Sequence, residues 1–313
     1  MTSIVSMLSV TQIKNLSTDV IKSFTSEDIG ALSLQQIKVL SSAQLAAIDS
    51  EDISVLSSQQ LRAITTTAIK GFSSDQLDAI DAGKFAAFDA TQIAALTTEQ
   101  IASLGTDAAS SLTSTQIARL SSAQVAVLST EAISTFTSDE LGVIAARSLA
   151  SLSSEAFAVL KTDQIVGLKS AQLAALSTEQ VRALGSENIG ALTSTQIAGF
   201  NSKQVEALGT DLLAAITSDK FGSLNNKFIG ALTTSQIAAL NDEQAEALTS
   251  TQIASLSSAQ VAALSTEAIS KFSTAEIGSI NVKAIVGLSS EHLSAIGSEE
   301  IAGLKSTQVA AIK

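Results

Sequence analysis

The sequence predicts an all-α solenoid, a superhelix wound from very short helices with one helix per eight-residue repeat. Three observations predict it. Every eighth residue from Leu8 to Ile312 is Leu, Ile or Phe with no slip of register, giving 39 octads followed by Lys313. Position 1 of the octad is Ser, Thr, Asp, Asn or Gly in 34 of the 39 units, the residues preferred at a helix N-cap. Acidic side chains fall early in the octad and basic ones late, the order that complements a helix macrodipole restarted in every unit.

Each position of the octad has its own reason. Thr97-Thr98-Glu99-Gln100-Ile101-Ala102-Ser103-Leu104 is representative. Position 1 supplies the N-cap residue; its exceptions are Met1, Ala145, Lys161, Lys169 and Lys305. Position 4 is Gln or Glu in 22 units, 19 of them Gln, which completes a capping box: the N-cap oxygen accepts the N3 amide and the N3 side chain reaches back to the N-cap amide. Positions 5 and 8 are apolar throughout, and a spacing of three sets them on one helical face. Positions 6 and 7 are mostly Ala, Gly or Ser, small enough for adjacent backbones to approach. Of 30 acids, 27 lie at positions 1 to 4, with 18 at position 3, among them Glu99, Asp107 and Glu131. Of 18 bases, 12 lie at positions 6, 7 or 1, including Lys14, Lys22, Arg62, Arg119, Lys271 and Lys161.

One uninterrupted helix fails, because eight residues overrun two turns of 3.6 and the apolar pair would precess around the axis. A β-solenoid is the alternative. Against it, apolar spacings of 3 and 5 would throw neighbouring large residues to opposite faces of an extended chain, and the abundant Ala and Gln favour helix. A helix of five to seven residues cannot persist alone, so burial of positions 5 and 8 against adjoining coils has to hold it. Three or four octads per coil fit this reading. Residues 113–144 and 249–280 are near copies, 136 residues or 17 octads apart, which makes the single octad the interchangeable element.

No linker, composition shift or charge block interrupts the array, so residues 1–313 are expected to form a single octapeptide-repeat domain. The chain has no Cys and no Pro, and aromatics are 3%, so its core is aliphatic and thin. A net charge of −12 argues against nucleic acid, whose backbone requires clustered Lys and Arg. No apolar run approaches the ~20 residues that span a bilayer, and Met1–Leu8 lacks the basic patch and long apolar stretch of a signal peptide.

Chemistry is sparse. His292 is the only histidine and occupies position 4, a capping place. Asp49-Ser50-Glu51-Asp52 is the densest acidic stretch and reads as an acid-rich first helical turn rather than a calcium site. The Phe residues at positions 8 (Phe24, Phe72, Phe136, Phe200, Phe272) and 5 (Phe85, Phe157, Phe221) read as core. Phe228, at polar position 4, is the one aromatic whose place permits a surface patch. The mixed Ser/Thr rows do not make the flat lattice of an ice-binding face. No catalytic, cofactor-binding or metal-binding residue is expected, no cofactor, and no small-molecule substrate.

The Gln-Ile-Ala-Ala-Leu-Thr-Thr-Glu string, Gln92 to Glu99, resembles the Q-[IV]-A-x-L-[ST]-[ST] octapeptide repeats of large repetitive surface or secreted proteins of proteobacteria. The resemblance covers nearly the whole chain and implies a stalk, spacer or fibre outside the cell. The expected function is therefore a non-enzymatic structural repeat protein. Its first and last octads keep apolar positions 5 and 8, which suggests head-to-tail self-assembly into a filament, with the chain itself as partner. The alternative is a monomeric scaffold whose superhelical groove holds a peptide or glycan.

Overall fold

The computed structural model describes residues 3–312. Among them are 36 α-helices and three 3-10 helices, one element in each octad, and no strand. The protein is thus an α-solenoid of very short helices, and the β-solenoid alternative is set aside. The chain packs as two units, Met1–Leu160 and Lys161–Lys313, built on one scheme.

The restart is a two-residue affair. In the helix Ser58–Ala63, Ile64 leaves helical geometry at φ −64°, ψ 129°, preceded by an extended N-cap, Ser57, at φ −73°, ψ 159°. Neither conformation demands glycine. Among the described residues only Gly185 has positive φ, at 78°, where Leu184 stays helical and the chain must turn within one residue. Elsewhere a large apolar residue followed by an extended N-cap residue, most often Ser or Thr, makes the whole turn, which is why the array needs neither Pro nor regularly placed Gly.

Burial follows the octad. Position 5 is at most 1% exposed from Val5 through Ile285, and position 8 is 9% or less from Phe24 through Ile296. Phe228 is 1% exposed, so it fills the core and makes no surface patch. Within each unit helices pack on the third one ahead, as Ser26–Gly30 on Ser50–Ile53, or Ser218–Gly222 on Asp242–Glu246. Side-chain hydrogen bonds between coils span 25 to 31 residues. A coil therefore closes after about 28 residues, the spacing of Gln36 and Leu8, or three and a half octads.

Small residues at positions 6 and 7 let coils touch through backbone, as expected. A Cβ on Gly71 would overlap the Ser42 carbonyl, and one on Gly287 the Ser258 carbonyl. Both glycines close 3-10 elements, Ile69–Gly71 and Ile285–Gly287, so the tighter turn and the missing side chain go together. Gly71→Ala is expected to lower stability by about 1–3 kcal/mol through overpacking, although alanine is the better helix former. Denaturant titration checks the sign: a gain would mean that the two coils are free to separate.

Candidate functional site

The most intensively used side chain is the position-4 glutamine, and it does more than cap. In the helix Ala90–Ala95 the carboxamide oxygen of Gln92 accepts the Asp89 amide N–H at 2.8 Å, as a capping box requires. Its Nε2 group donates across to the previous coil, to the carbonyls of Leu61 at 2.9 Å and Ile64 at 2.7 Å. Those carbonyls belong to positions 5 and 8 of the octad four back. They are among the acceptors that a helix end leaves short of partners. Gln204 repeats the arrangement in the second unit, donating to Leu173 and Leu176, both at 2.8 Å. Gln44, Gln76, Gln124, Gln236, Gln244 and Gln260 do the same. One buried amide thus fixes the start of its own helix and ties that helix to the coil behind. Among the described residues no buried side-chain nitrogen or oxygen is left without a partner.

Substitutions at position 4 show which half of the task each residue keeps. Lys84 donates its ammonium to the Ser54 carbonyl at 2.7 Å, and Lys220 likewise to Gly190; both keep the tie and give up the glutamine's oxygen. Glu140 and Glu276 keep only the cap, accepting the Thr137 and Ser273 amides at 2.8 and 2.7 Å. In residues 129–160 position 4 is Ala132, Glu140, Ser148 and Ala156. There the link to the preceding coil is made by hydroxyls: Ser151 donates to the Ser122 carbonyl at 2.7 Å, and Ser122 and Ser148 pair at 3.1 Å.

His292 does the work of a glutamine with one donor fewer. Nδ1 accepts the Ser289 amide at 3.1 Å, and Nε2 lies 2.9 Å from the Leu264 carbonyl, four octads back. With Nδ1 as acceptor, the neutral ring carries its proton on Nε2. The residue is 6% exposed and fully engaged, which suits a tie and not an acid–base catalyst. His292→Gln is expected to stabilise the second unit by about 0.5–1.5 kcal/mol, because the amide adds a donor for the Val261 carbonyl. Thermal melts of the two proteins at neutral pH check this; a lower midpoint for the glutamine variant would refute it.

Asp49 and Asp52 do not act together. Asp49 is an N-cap without a side-chain capping bond, whereas Asp52 accepts the Ser26 hydroxyl of the octad three back. Among the described residues no three His, Cys, Asp or Glu side chains gather as a metal site, and no helix is long and apolar enough to cross a membrane. Clefts between coils are shallow and lined by cap residues. One of them, ≈ 560 Å³, is walled by Ser170, Ser194, Thr195, Ser223 and Asn225 with Ala198 and Gly199.

The carboxylates stabilise helix starts. Glu99, Glu131, Glu155 and Glu179 are held below the usual carboxylate range first by their own backbone N–H, and Glu291 first by the Ser289 hydroxyl. Asp89 is also held low, first by the Thr91 hydroxyl and then, against desolvation, by the Gln92 and Thr91 amides. A carboxyl lowered in the folded state contributes stability above its unfolded pKa and loses it as pH falls through the folded value. Protection of amides 90–96 relative to their intrinsic exchange is thus expected to fall in acid, and Asp89→Asn to abolish that fall while keeping the cap. Unchanged acid sensitivity in the variant would contradict the assignment.

These features define a class, the helical-repeat proteins built from helices too short to persist alone. Within it, the model of the ALTTAQ repeat matches residues 21–58, 53–89, 85–121, 165–202 and 229–258, more than half of the chain, and the chain belongs to that family. A search of curated proteins finds no match.

Proposed function

We propose that this protein is a non-enzymatic structural element, a repeat array that copies extend head to tail into a filament at the cell surface or outside the cell. What supports the absence of catalysis is use: hydroxyls, amides and the imidazole are spent on caps and coil ties, and among the described residues no cluster of three His, Cys, Asp or Glu side chains remains. The observation that carries the assembly is the character of the coil-to-coil contact. It is heterologous and translational, so it does not close on itself, and contacts of that kind generate open assemblies. The position-5 side chains Ile301 and Val309 are 42% and 55% exposed, apolar groups of the kind that coil-to-coil packing covers. Ile4 and Val20, at position 4, are 63% and 42% exposed and supply the apolar surface such a coil would meet. Placement outside the cell is supported by the resemblance to repetitive surface proteins and by a cysteine-free composition that tolerates oxidising surroundings.

The test is electron microscopy and sedimentation of the purified chain over a range of concentrations, beside Ile301→Lys/Val309→Lys. The expected result is concentration-dependent lengthening that the double variant loses. Single particles at every concentration would overturn the reading.

A further inference from the structure

Ties of the Gln92 kind are not spread evenly along the array. In the unit Met1–Leu160, position 4 sends a donor to the coil behind from Gln36 through Gln124, with gaps at Asp52, Ala68 and Ala108. Each gap is a single octad with tied octads on both sides. Then the ties stop. Position 4 is Ala132, Glu140, Ser148 and Ala156 in four successive octads, and Glu140 gives its carboxylate to the Thr137 amide of its own helix. No side chain donates to the carbonyls of Leu104, Leu112, Leu120 and Leu128, where such ties land elsewhere.

Four octads exceed one coil of three and a half, so a whole circumference is left without a glutamine or lysine tie. A tie reaches the octad four back, and a parting of the coils at any point therefore severs the ties of the four octads that follow. Earlier in the unit, every parting between neighbouring octads severs at least one. A parting between Leu128 and Ser129 severs none. The hydroxyl bonds that cross there gather at Ser122, one with Ser148 and one from Ser151, at a single point of the circumference. Apolar packing does not distinguish this seam, because Ile133, Leu141, Leu149 and Phe157 are buried as completely as position 5 elsewhere. The pattern also recurs: Ala268, Glu276 and Ala284 stand 136 residues after Ala132, Glu140 and Ser148. In that second case the fourth octad carries His292, whose bond to the Leu264 carbonyl closes the gap.

We propose that the unit Met1–Leu160 has a built-in parting plane between Leu128 and Ser129, where its coils separate and reclose before any other seam of the unit opens. Local openings follow the least stabilised contacts of a structure, and in an array coupled only through neighbours one weak seam is enough to set their place. A pull along the array is then relieved at a fixed position while the coils behind it stay tied.

Thiol labelling of the full chain tests it. The chain has no cysteine, so one introduced thiol reports opening at its own site. Ala132→Cys and Ala108→Cys form a matched pair, since both alanines sit at position 4 of five-residue helices, Thr130–Ser134 and Thr106–Ser110, and are 1% and 6% exposed. Any parting that uncovers residue 108 severs the Gln100 tie, the Gln116 tie or both. Under native conditions Ala132→Cys is expected to label at least about fivefold faster, since one hydrogen bond of this kind shifts an equilibrium roughly two- to tenfold. Its slightly deeper burial predicts the reverse order for static exposure. Adding Glu140→Gln/Ala156→Gln supplies two of the missing donors and should slow Ala132→Cys by a similar factor, leaving Ala108→Cys unchanged. Glu140→Gln alone changes no volume and should slow Ala132→Cys about twofold or more, which guards against a misfit at 156. Equal labelling of the two thiols would overturn the proposal. So would a Glu140→Gln that leaves the rate at 132 unchanged, or added glutamines that slow both thiols alike.

Discussion

Gln204→Glu is expected to destabilise the second unit by about 3–5 kcal/mol at neutral pH, the loss typical when a buried charge is left without a partner. Gln204 is 1% exposed. Its oxygen accepts the Asn201 amide at 2.9 Å, and a carboxylate can keep that bond. The second carboxylate oxygen would stand where Nε2 now donates to two carbonyls, acceptor against acceptor. The buried group then favours its protonated form, which raises its pKa in the folded state. A raised folded pKa gives stability that is present below the unfolded value and is lost as pH rises through the folded one. The variant should thus approach the parent in acid and fall away toward neutrality. Gln204→Met fills similar volume but abandons the tie and the cap amide, for about 1–3 kcal/mol with no such pH dependence. Denaturant unfolding of the three proteins across pH decides it. Equal stability of parent and Gln204→Glu at neutral pH would remove the tie from the account of this fold.

The same residue shows how far the sequence could be read. The octad, the caps, the capping box, the apolar pair and the small residues at positions 6 and 7 are local, since each depends on contacts within four residues or on size alone. All of them reappear in Ser257–Leu264 as the periodicity implies. The tie is not local. Gln92 meets Leu61 and Ile64, 31 and 28 residues away, and that distance follows from the circumference of a coil, which the octad does not state. A signal was present nonetheless. A capping box works with Glu as well as Gln, yet position 4 holds 19 Gln against three Glu. Only a role that needs a donor explains the bias, and Glu140 and Glu276, which cap without reaching across, show its consequence. Phe228 was obscure for the complementary reason. Position 4 reads as polar because its usual occupant is polar, whereas the structure shows that the position itself is buried.

Phe88→Ala is expected to cost about 3–5 kcal/mol in the first unit, the range for emptying a buried aromatic site. Phe88 is 3% exposed and joins three rings. It meets Phe85 of its own octad edge to face with centroids 5.3 Å apart, and Phe72, two octads earlier, at 6.4 Å and a similar angle. Such ring pairs add about 0.5–1.5 kcal/mol beyond the area they bury. The Phe88 carbonyl also receives the Gln116 amide at 2.7 Å, so a shift of this residue into the vacated space strains the tie from the following coil. Phe88→Leu is the informative control. Leucine fills position 8 in most octads, and a swap toward the common occupant should cost less than about 1.5 kcal/mol. In an array where each coil touches only its neighbours, damage stays near its origin. Amide exchange should therefore quicken around residues 65–120 in Phe88→Ala while amides near Ile13 and Ile21 keep their protection. Uniform loss of protection through Met1–Leu160 would show instead that the unit unfolds as one cooperative block, with coil-to-coil coupling stronger than any single coil's own stability.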